Sequence, residues 1–436
     1  MTLAIHGGKP VRSQPFARYN LIAAEEKAAA LRVLDTGVLS GFIGAWHPDF
    51  YGGHEVRALE EEWASYFGAK HAVAVNSATS GLFIAIGALG IEPGDEVIVP
   101  PYTMSASAVA PLVYNAIPVF ADIEENFFCL DPESVAAKIT PKTKAIVAVD
   151  LFGHPIDIDR LRALADKHQL KIIEDNAQAP LATDRGRLTG LLGDIGVFSL
   201  NYHKHIHCGE GGVVVTNDSV LAERMRLIRN HAESVVAGKG ETNLVNMIGF
   251  NYRMTELEAA VARCQLQKLK PSVEAIRANC SHLSDRLSGL PCFKTPQVRD
   301  GCEHSYYVYA LRFLKDIAGT SRELFMDAVK AELQPVEGRE QEGVNIRYGY
   351  VKPLYLLPTF QQKIAFGSRG CPWSCNCAEA VSYARGICPV VERMHFEEVV
   401  VLHEYFKPPL ETKDVDDVAN AFIKVWEQRH TLKHPR

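Results

Sequence analysis

Short apolar runs alternate with longer amphipathic segments between residues 55 and 220. Runs rich in valine, isoleucine and alanine predict buried β-strands at residues 72–75, 96–99, 118–121, 145–149, 171–173, 196–200 and 212–216. Helical spacing of apolar residues predicts helices between several of these strands, at residues 80–89, 132–139 and 157–168. This alternation predicts a largely parallel sheet covered by helices on both faces.

The second half of the chain has a different pattern. A long helical pattern from residue 254 to about 287 is interrupted near Pro271. Strands at 306–312 and 399–402 and helices at 321–333 and 414–428 follow, separated by an aromatic, loop-rich stretch at 338–385. This order predicts a large domain over residues 1–280 and a smaller α+β domain over residues 281–436.

Polar residues stand at or just beyond the ends of three predicted strands, namely Asn76, Asp175 and Lys204. In parallel sheets, ligands bind in the crevice beyond the carboxyl ends of the strands. These three side chains therefore indicate one binding site along that edge of the sheet.

Lys204 lies in Phe-Ser-Leu-Asn-Tyr-His-Lys-His-Ile-His-Cys-Gly-Glu-Gly-Gly, with Ser199 five residues before it. An enzyme that uses pyridoxal phosphate (PLP) needs a lysine for the Schiff base and hydroxyl groups for the phosphate. Asp175 ends an apolar run, and a carboxylate there can keep a proton on the pyridine nitrogen of PLP. Gln178, three residues further on, could bond the ring oxygen of PLP. Taken alone, Asp175 is equally compatible with a cap on the following turn or helix.

Two further segments suit an anion. The sequence Asn-Ser-Ala-Thr-Ser-Gly at 76–81 reads as a turn of small residues that opens a helix, whose free N–H groups favour a phosphate. Thr255 and Glu258 form a capping box, and Asn251 and Arg253 lie just before it. Each segment alone is also compatible with an ordinary helix start.

Together these four motifs resemble the DegT/DnrJ/EryC1/StrS family of sugar aminotransferases, from about residue 19 to 425. The resemblance implies an α/β chain with the three-layer PLP-transferase fold type I. That fold has a mainly parallel sheet in a large domain and a smaller C-terminal α+β domain. It also implies PLP as the cofactor, a Schiff base and proton transfer at Lys204, and pairing of Asp175 with the ring nitrogen.

The same resemblance assigns the remaining cofactor contacts. Gln178 contacts the ring hydroxyl, and the phosphate is held by three residues: Ala78, Thr79 and Ser199. Asn251 reaches the phosphate of the neighbouring subunit, which implies a homodimer with shared active sites.

The chain departs from the family pattern at several places. Family members often place an aromatic residue over the cofactor ring, where this chain has Met104, so either Met104 or Tyr102 covers the ring. Three histidines, His203, His205 and His207, flank the lysine, and residues 41–53 form an unusually aromatic stretch that suggests a loop facing the substrate.

The resemblance implies a ping-pong transfer of an amino group from an amino acid, with L-glutamate expected and L-glutamine left open. The acceptor is a keto-sugar, expected to be nucleotide-linked, or a related polyhydroxylated ketone such as a cyclitol. Candidate contacts to the acceptor are Arg253, Arg347, Lys352, His203, His205 and Tyr102. The cationic ones among them would suit a phosphate or nucleotide diphosphate group on the substrate. The alternatives are a PLP-dependent dehydratase, an aminotransferase for a non-sugar ketone, or a non-catalytic regulatory relative.

Composition narrows the function classes. The 436 residues carry a net charge of −6 with no basic block, which argues against nucleic-acid binding. No apolar run reaches the roughly 20 residues of a membrane helix, and residues 1–9 lack the apolar core of a signal peptide. We therefore expect no membrane partner and a cytoplasmic location.

The chain has ten cysteines, which we expect to be reduced. Cys371, Cys375 and Cys377 cluster in one short segment, and Cys388 follows. Their spacing does not match the paired Cys-x-x-Cys pattern of zinc sites, so no metal is expected.

Overall fold

The computed structural model describes residues 2–376, 378 and 380–432, so Cys377 lies outside the described residues. The strands among the described residues are β1 His71–Val75, β2 Glu96–Val99, β3 Ile117–Phe120, β4 Thr143–Val149, β5 Lys171–Asp175, β6 Thr183–Asp184, β7 Arg187–Leu188, β8 Ile195–Ser199, β9 Gly212–Thr216, β10 Phe293–Lys294, β11 Cys302–Glu303, β12 Tyr309–Phe313, β13 Ile346–Tyr348 and β14 Val399–Leu402.

The α-helices among the described residues are α1 Ala24–Thr36, α2 His54–Phe67, α3 Ala78–Ala88, α4 Ala106–Val113, α5 Pro132–Ala136, α6 Ile158–His168, α7 Ser219–Arg229, α8 Val236–Lys239, α9 Glu256–Leu287, α10 Lys315–Ala318, α11 Arg322–Ala331, α12 Pro358–Gln361, α13 Pro389–Arg393 and α14 Thr412–Gln428. None of the helices in the described part of the chain is both long and apolar enough to span a bilayer.

A seven-stranded sheet in the order β1-β9-β8-β5-β4-β2-β3 forms the centre of the molecule. Strand β9 runs antiparallel to both of its neighbours, and the other pairs are parallel. The predicted α/β fold class is confirmed, and each of the seven predicted strands overlaps one strand of this sheet. Apart from β9, all the strands end at the same edge.

Alternate residues of the strands pack on opposite layers of helices. Val73 and Val75 of β1 face one apolar core that includes residues of α3. Ala72 and Ala74 face a separate core formed with α2 and α9. Because both faces of the strands are covered, the runs are apolar throughout, and the sheet lies as the middle of three layers.

A second, antiparallel sheet has the order β10-β12-β14-β13. Its core includes residues of α11 and α14, and also Leu3 and Phe16 from the start of the chain and Leu283 from α9. The division of the chain at residue 280 stays a prediction.

Helix α9 is continuous over 32 residues and contains Pro271. The predicted interruption at this proline is therefore wrong. A proline within a helix costs about 3 kcal/mol because it removes a hydrogen bond and crowds the preceding turn. Burial on both sides of the proline, at Leu269 and Val273 among others, offsets that cost.

The cysteine prediction is wrong for one pair, because Cys371 and Cys375 form a disulfide. The two residues lie on one turn of the segment after α12, with their Cα atoms 5.3 Å apart, a separation that a disulfide can bridge. The other seven cysteines among the described residues are free thiols.

Candidate active site

A cavity of about 440 Å³ opens at the edge where the parallel strands end. Seven of the eight side chains that the sequence nominates contribute to its wall: Ala78, Thr79, Met104, Asp175, Gln178, Ser199 and Lys204. The chain brings them together from four separate segments, because each segment contains or follows the end of a strand that finishes at this edge.

The start of helix α3 forms one end of the cavity. Ser77 caps the helix and accepts a hydrogen bond from the Ser80 nitrogen at 3.1 Å. The N–H groups of Ala78 and Thr79 belong to the first turn and have no partner within the helix. Together with the helix dipole, these groups form a site for an anion.

Gly212 lets strand β9 approach the start of α3. A Cβ atom at Gly212 would lie 2.7 Å from the backbone nitrogen of Ala78. No larger residue fits without displacing the helix start, so the glycine keeps that nitrogen in place beneath the cavity.

Asp175 forms the floor of the cavity at the end of β5 and is 4% exposed. The hydroxyl of Ser107 donates to its Oδ2 at 2.7 Å, and the Ala177 N–H donates to its Oδ1 at 3.2 Å. Burial raises the pKa of the Asp175 carboxyl, and the two donors and the charge of Lys204 oppose that rise. A cationic group placed beside this carboxyl would favour its ionised form, and the two charges would then form a strong ion pair.

Gln178 lies three residues beyond Asp175 in the same wall. Its Oε1 accepts the Phe152 N–H at 2.9 Å, and its Nε2 lies 3.5 Å from the Tyr350 hydroxyl. The backbone contact fixes the amide so that its NH₂ group points toward the cavity side, where it can donate to a ligand oxygen.

Lys204 reaches the cavity from the loop after β8. Its Nζ lies 4.1 Å from the centre of the Tyr307 ring, a cation–π contact. Ser199 ends β8 in the same wall, and its hydroxyl accepts the Asn201 N–H at 3.3 Å. The amine therefore stands in the cavity on an aromatic face, without an ion pair to any described residue.

Met104 and Tyr102 occupy different places. Met104 lines the cavity and is 63% exposed, whereas Tyr102 is fully buried and is absent from the wall. The Tyr102 hydroxyl accepts the Tyr350 N–H at 2.8 Å. Of the two, Met104 is the side chain placed to cover a ligand ring.

Asn251 is the one nominated residue outside the cavity wall. It is exposed, and its Oδ1 accepts a hydrogen bond from Arg253 Nε at 2.7 Å. Neither side chain belongs to this cavity within the described part of the chain, so a contact with cofactor would require a second subunit.

The three histidines have separate surroundings. His203 lines the cavity, and burial together with nearby cations lowers its pKa to about 4. His205 is buried with Nε2 2.9 Å from the Ser305 carbonyl oxygen, and burial lowers its pKa to about 3. Of the three histidines, His203 belongs to the cavity wall, and His205 and His207 do not.

Two other sequence candidates lie away from the cavity. Residues 41–53 form no part of its wall, because they pack on Asn230, whose side-chain amide donates to the carbonyls of Ile43 and Phe50 at 3.0 Å. Lys352 is exposed and also stands outside the wall.

Sequence reasoning missed Ser107 and Tyr307. Ser107 lies in α4, far from Asp175 along the chain, and no local pattern distinguishes it from other small residues there. Tyr307 stands in an aromatic run just before β12, a pattern that predicts core packing as readily as a ligand contact. Tyr350, from the loop-rich stretch at 338–385, also stands in the cavity wall.

The donor set fits PLP. Free N–H groups at one end suit its phosphate, a buried carboxyl at the floor suits its ring nitrogen, and an amine stands between them. Gly212 has no side chain, so strand β9 can pack directly against the backbone of Ala78 at the end of the cavity that suits the phosphate.

Comparison with known proteins agrees with this geometry. Residues 46–420 match the model of the DegT/DnrJ/EryC1/StrS aminotransferase family. The chain is 33% identical to the L-glutamine:2-deoxy-scyllo-inosose aminotransferase of Streptoalloteichus tenebrarius, with 99% of each chain covered.

The chain is also 36% identical to the dTDP-3-amino-3,4,6-trideoxy-alpha-D-glucose transaminase of Streptomyces venezuelae, over 79% of this chain and 82% of the relative. Among solved structures, it is similar to DesI in the presence of its TDP-sugar product. The TM-score is 0.79 and the identity is 29%, over 98% of this chain and 99% of that one.

Proposed function

This chain belongs to the DegT/DnrJ/EryC1/StrS aminotransferase family, and we propose that it transfers an amino group from an amino acid to a polyhydroxylated ketone. The protein is a PLP-dependent aminotransferase, a transferase of nitrogenous groups. The ketone we propose is a keto-sugar, nucleotide-linked or a cyclitol, because the relatives named above include enzymes of both kinds.

One observation carries the choice of reaction, which is the presence of Lys204 in the same cavity as Asp175 and the start of α3. A lysine amine in that place can both hold the cofactor and move protons. A dehydratase of the kind that lacks this lysine is therefore disfavoured.

PLP, when bound, supplies an aldehyde for the exchange of amines and a ring that accepts electrons released at the adjacent carbon. We propose that Asp175 holds the proton on the ring nitrogen and that Ser107 holds Asp175 in its ionised form. The NH₂ group of Gln178 would donate to the ring oxygen.

At the other end, the N–H groups of Ala78 and Thr79 and the hydroxyl of Ser199 would bind the phosphate. Lys204, once released from the cofactor, would take the proton from the α-carbon of the donor and return it at C4′ of the cofactor. Met104 would cover the open face of the ring and exclude water.

The amino donor we propose is L-glutamate. The Streptoalloteichus relative is named for L-glutamine, so the two donors have to be compared directly. The two donors share an α-amino and an α-carboxylate group and differ only at the far end of the side chain. The reaction we propose is a double displacement, in which the keto acid leaves before the ketone binds.

We propose a homodimer in which Asn251 completes the phosphate site of the partner subunit. The support is that Asn251 lies outside the cavity of its own subunit, next to an exposed loop that carries Leu244 and Ile248. Leu244, Val245 and Ile248 are all exposed on this short loop, and a group of exposed apolar residues is typical of an interaction surface. The cytoplasmic location stays a prediction.

Steady-state kinetics with two donors and two acceptor classes tests this proposal. We expect parallel lines in double-reciprocal plots with L-glutamate or L-glutamine as donor and a keto-sugar nucleotide or a cyclitol ketone as acceptor. Amination of neither ketone class, with cofactor turnover intact, would assign the enzyme to a non-sugar ketone instead.

A further inference from the structure

A buried lysine near the active site has no counter-ion. Lys407 is 5% exposed, and its Nζ faces the rings of Tyr307 at 5.3 Å and Tyr19 at 5.6 Å. Its ammonium forms no ion pair or side-chain hydrogen bond with any residue in the described part of the chain. A buried charge without a partner is strongly destabilising, so a ligand that supplies the missing partner gains that energy on binding.

Lys407 lines a small cavity of about 130 Å³. Arg347, Asn345 and His403 share its wall, and so do His203 and Tyr307, which also line the cavity of the proposed active site. The two cavities therefore adjoin. The small one is well below the roughly 300–1,000 Å³ of whole-ligand pockets, so it suits one end of a ligand held in the larger one.

The charges around the small cavity are not balanced. Arg339 is held by Glu342 at 2.8 Å and by Glu404, so both carboxylates are engaged with that guanidinium. Arg347 uses only its Nε, which donates to Asn345 Oδ1 at 3.0 Å, and forms no ion pair with a described residue. Lys407 and the outer nitrogens of Arg347 are left to bind an anion.

The position of Tyr307 links this cluster to the reacting amine. Its ring contacts the Nζ atoms of both Lys204 and Lys407, at 4.1 and 5.3 Å from the ring centre. Both amines therefore face one aromatic ring, so an amino donor whose amine stands near Lys204 would have Lys407 within reach of a carboxylate. Burial lowers the pKa of Lys407 to about 8, with Glu404 opposing the shift and the charge of Lys204 adding to it.

We propose that Lys407 and Arg347 form the subsite that binds a carboxylate of the amino donor. This inference rests on the proposed function, because it assigns a substrate group to the same site. A phosphate of the acceptor is the other anion that this chemistry could take. The small volume and the position beside Lys204 favour the carboxylate.

Calorimetric titration of the PLP-loaded protein with glutarate tests the subsite. Glutarate carries two carboxylates and no amine, so it binds without reacting. We expect Lys407→Met to weaken glutarate binding at least about 30-fold, since the loss of one partner from a buried charge pair costs about 2 kcal/mol or more. Arg347→Gln should weaken binding in the same direction.

The matched control is Lys144→Met, since Lys144 is an exposed lysine in β4, away from the small cavity. It should leave glutarate binding unchanged. Lys407→Met should keep or raise the melting temperature, because methionine removes an uncompensated buried charge. Weaker glutarate binding at an undiminished melting temperature supports a binding role, whereas unchanged glutarate binding in a folded Lys407→Met protein would overturn it.

Titration with UDP in place of glutarate distinguishes a subsite for an acceptor phosphate from a subsite for a donor carboxylate. Loss of UDP binding with glutarate binding intact in Lys407→Met would overturn the inference in favour of an acceptor phosphate. If instead the variant falls in melting temperature so far that binding is not measurable, Arg347→Gln decides the matter, because Arg347 is exposed and its replacement does not disturb the core.

The donor half-reaction keeps this inference separate from the proposed function. The wild-type kcat/KM for L-glutamate should fall as the pH rises through about 8, because Lys407 loses its proton there. Lys407→Met should raise KM for the donor and remove that fall. If the wild type does not react with any amino donor, the proposed function fails. If it reacts and Lys407→Met has the wild-type KM and pH profile, only the subsite is refuted.

Discussion

Replacement of Ser107 by alanine should weaken cofactor binding strongly, although Ser107 itself does not line the cavity. Its hydroxyl donates to Asp175 Oδ2 at 2.7 Å in a fully buried environment. A hydrogen bond to a charged group contributes about 1.5–3 kcal/mol. Without Ser107, the apoprotein can bind a proton at Asp175 and so avoid a poorly stabilised carboxylate. The PLP complex cannot do so, because the protonated ring nitrogen needs an ionised Asp175 as its partner.

The whole free energy of this hydrogen bond should therefore be lost from PLP binding, which lowers the affinity for PLP by about 10- to 100-fold. The pH dependence has a definite sign. Burial raises the pKa of Asp175, so PLP affinity should increase with pH as the carboxyl ionises. Ser107→Ala removes a donor to the ionised form and should move this increase to higher pH by about one to two units.

Titration of the apoprotein with PLP, followed by absorbance from about pH 4 to about pH 9, measures both effects, because this series begins at the ordinary pKa of an aspartate carboxyl and covers the range above it. Ser105→Ala is the matched control, because Ser105 precedes the same helix and makes no side-chain capping hydrogen bond. Equal PLP affinities and equal pH profiles for the two variants would refute the role of Ser107 as the residue that holds Asp175 ionised.

Two other predictions follow from the structure. Arg229→Met should lower the free energy of unfolding by about 3–5 kcal/mol, because it leaves Glu60, its partner at 2.5 Å, buried without a counter-ion. In urea denaturation, Arg226→Met should cost less than about 1 kcal/mol, since Arg226 is only partly buried and its ion pair is 3.7 Å long; equal costs would contradict this. Lys204→Ala and Asn251→Ala subunits, each inactive alone, should regain activity when unfolded and refolded together, because one site of a mixed dimer keeps both residues. No recovery in mixtures that form dimers would contradict shared sites.

The strands and their polar ends were the predictable part of the fold. Each run is apolar because both faces of the sheet are covered. Asp175 ends one run and Lys204 follows another, where the strands reach the cavity. Local sequence carries this information, because a buried parallel strand and its carboxyl end differ sharply in polarity.

The remaining parts depend on contacts between distant segments. Ser107 is 68 residues from Asp175 in sequence, and nothing near it indicates that its hydroxyl meets a carboxyl. Tyr307 and Lys407 reach the site only because the second sheet packs beside the first. The continuous helix through Pro271 likewise reflects burial against other helices, which overrides the local preference for a break.

A single-turnover reaction of the PLP-loaded protein with L-glutamate or L-glutamine, without acceptor, tests the central claim most directly. The cofactor absorbance and the released keto acid are recorded together for the wild type and for Lys204→Ala. We predict one keto acid per bound cofactor and a matching loss of the visible absorbance band in the wild type, and neither change in Lys204→Ala. A wild type that binds PLP yet releases no keto acid from any amino donor would contradict the claim, and so would a Lys204→Ala variant that reacts at the wild-type rate.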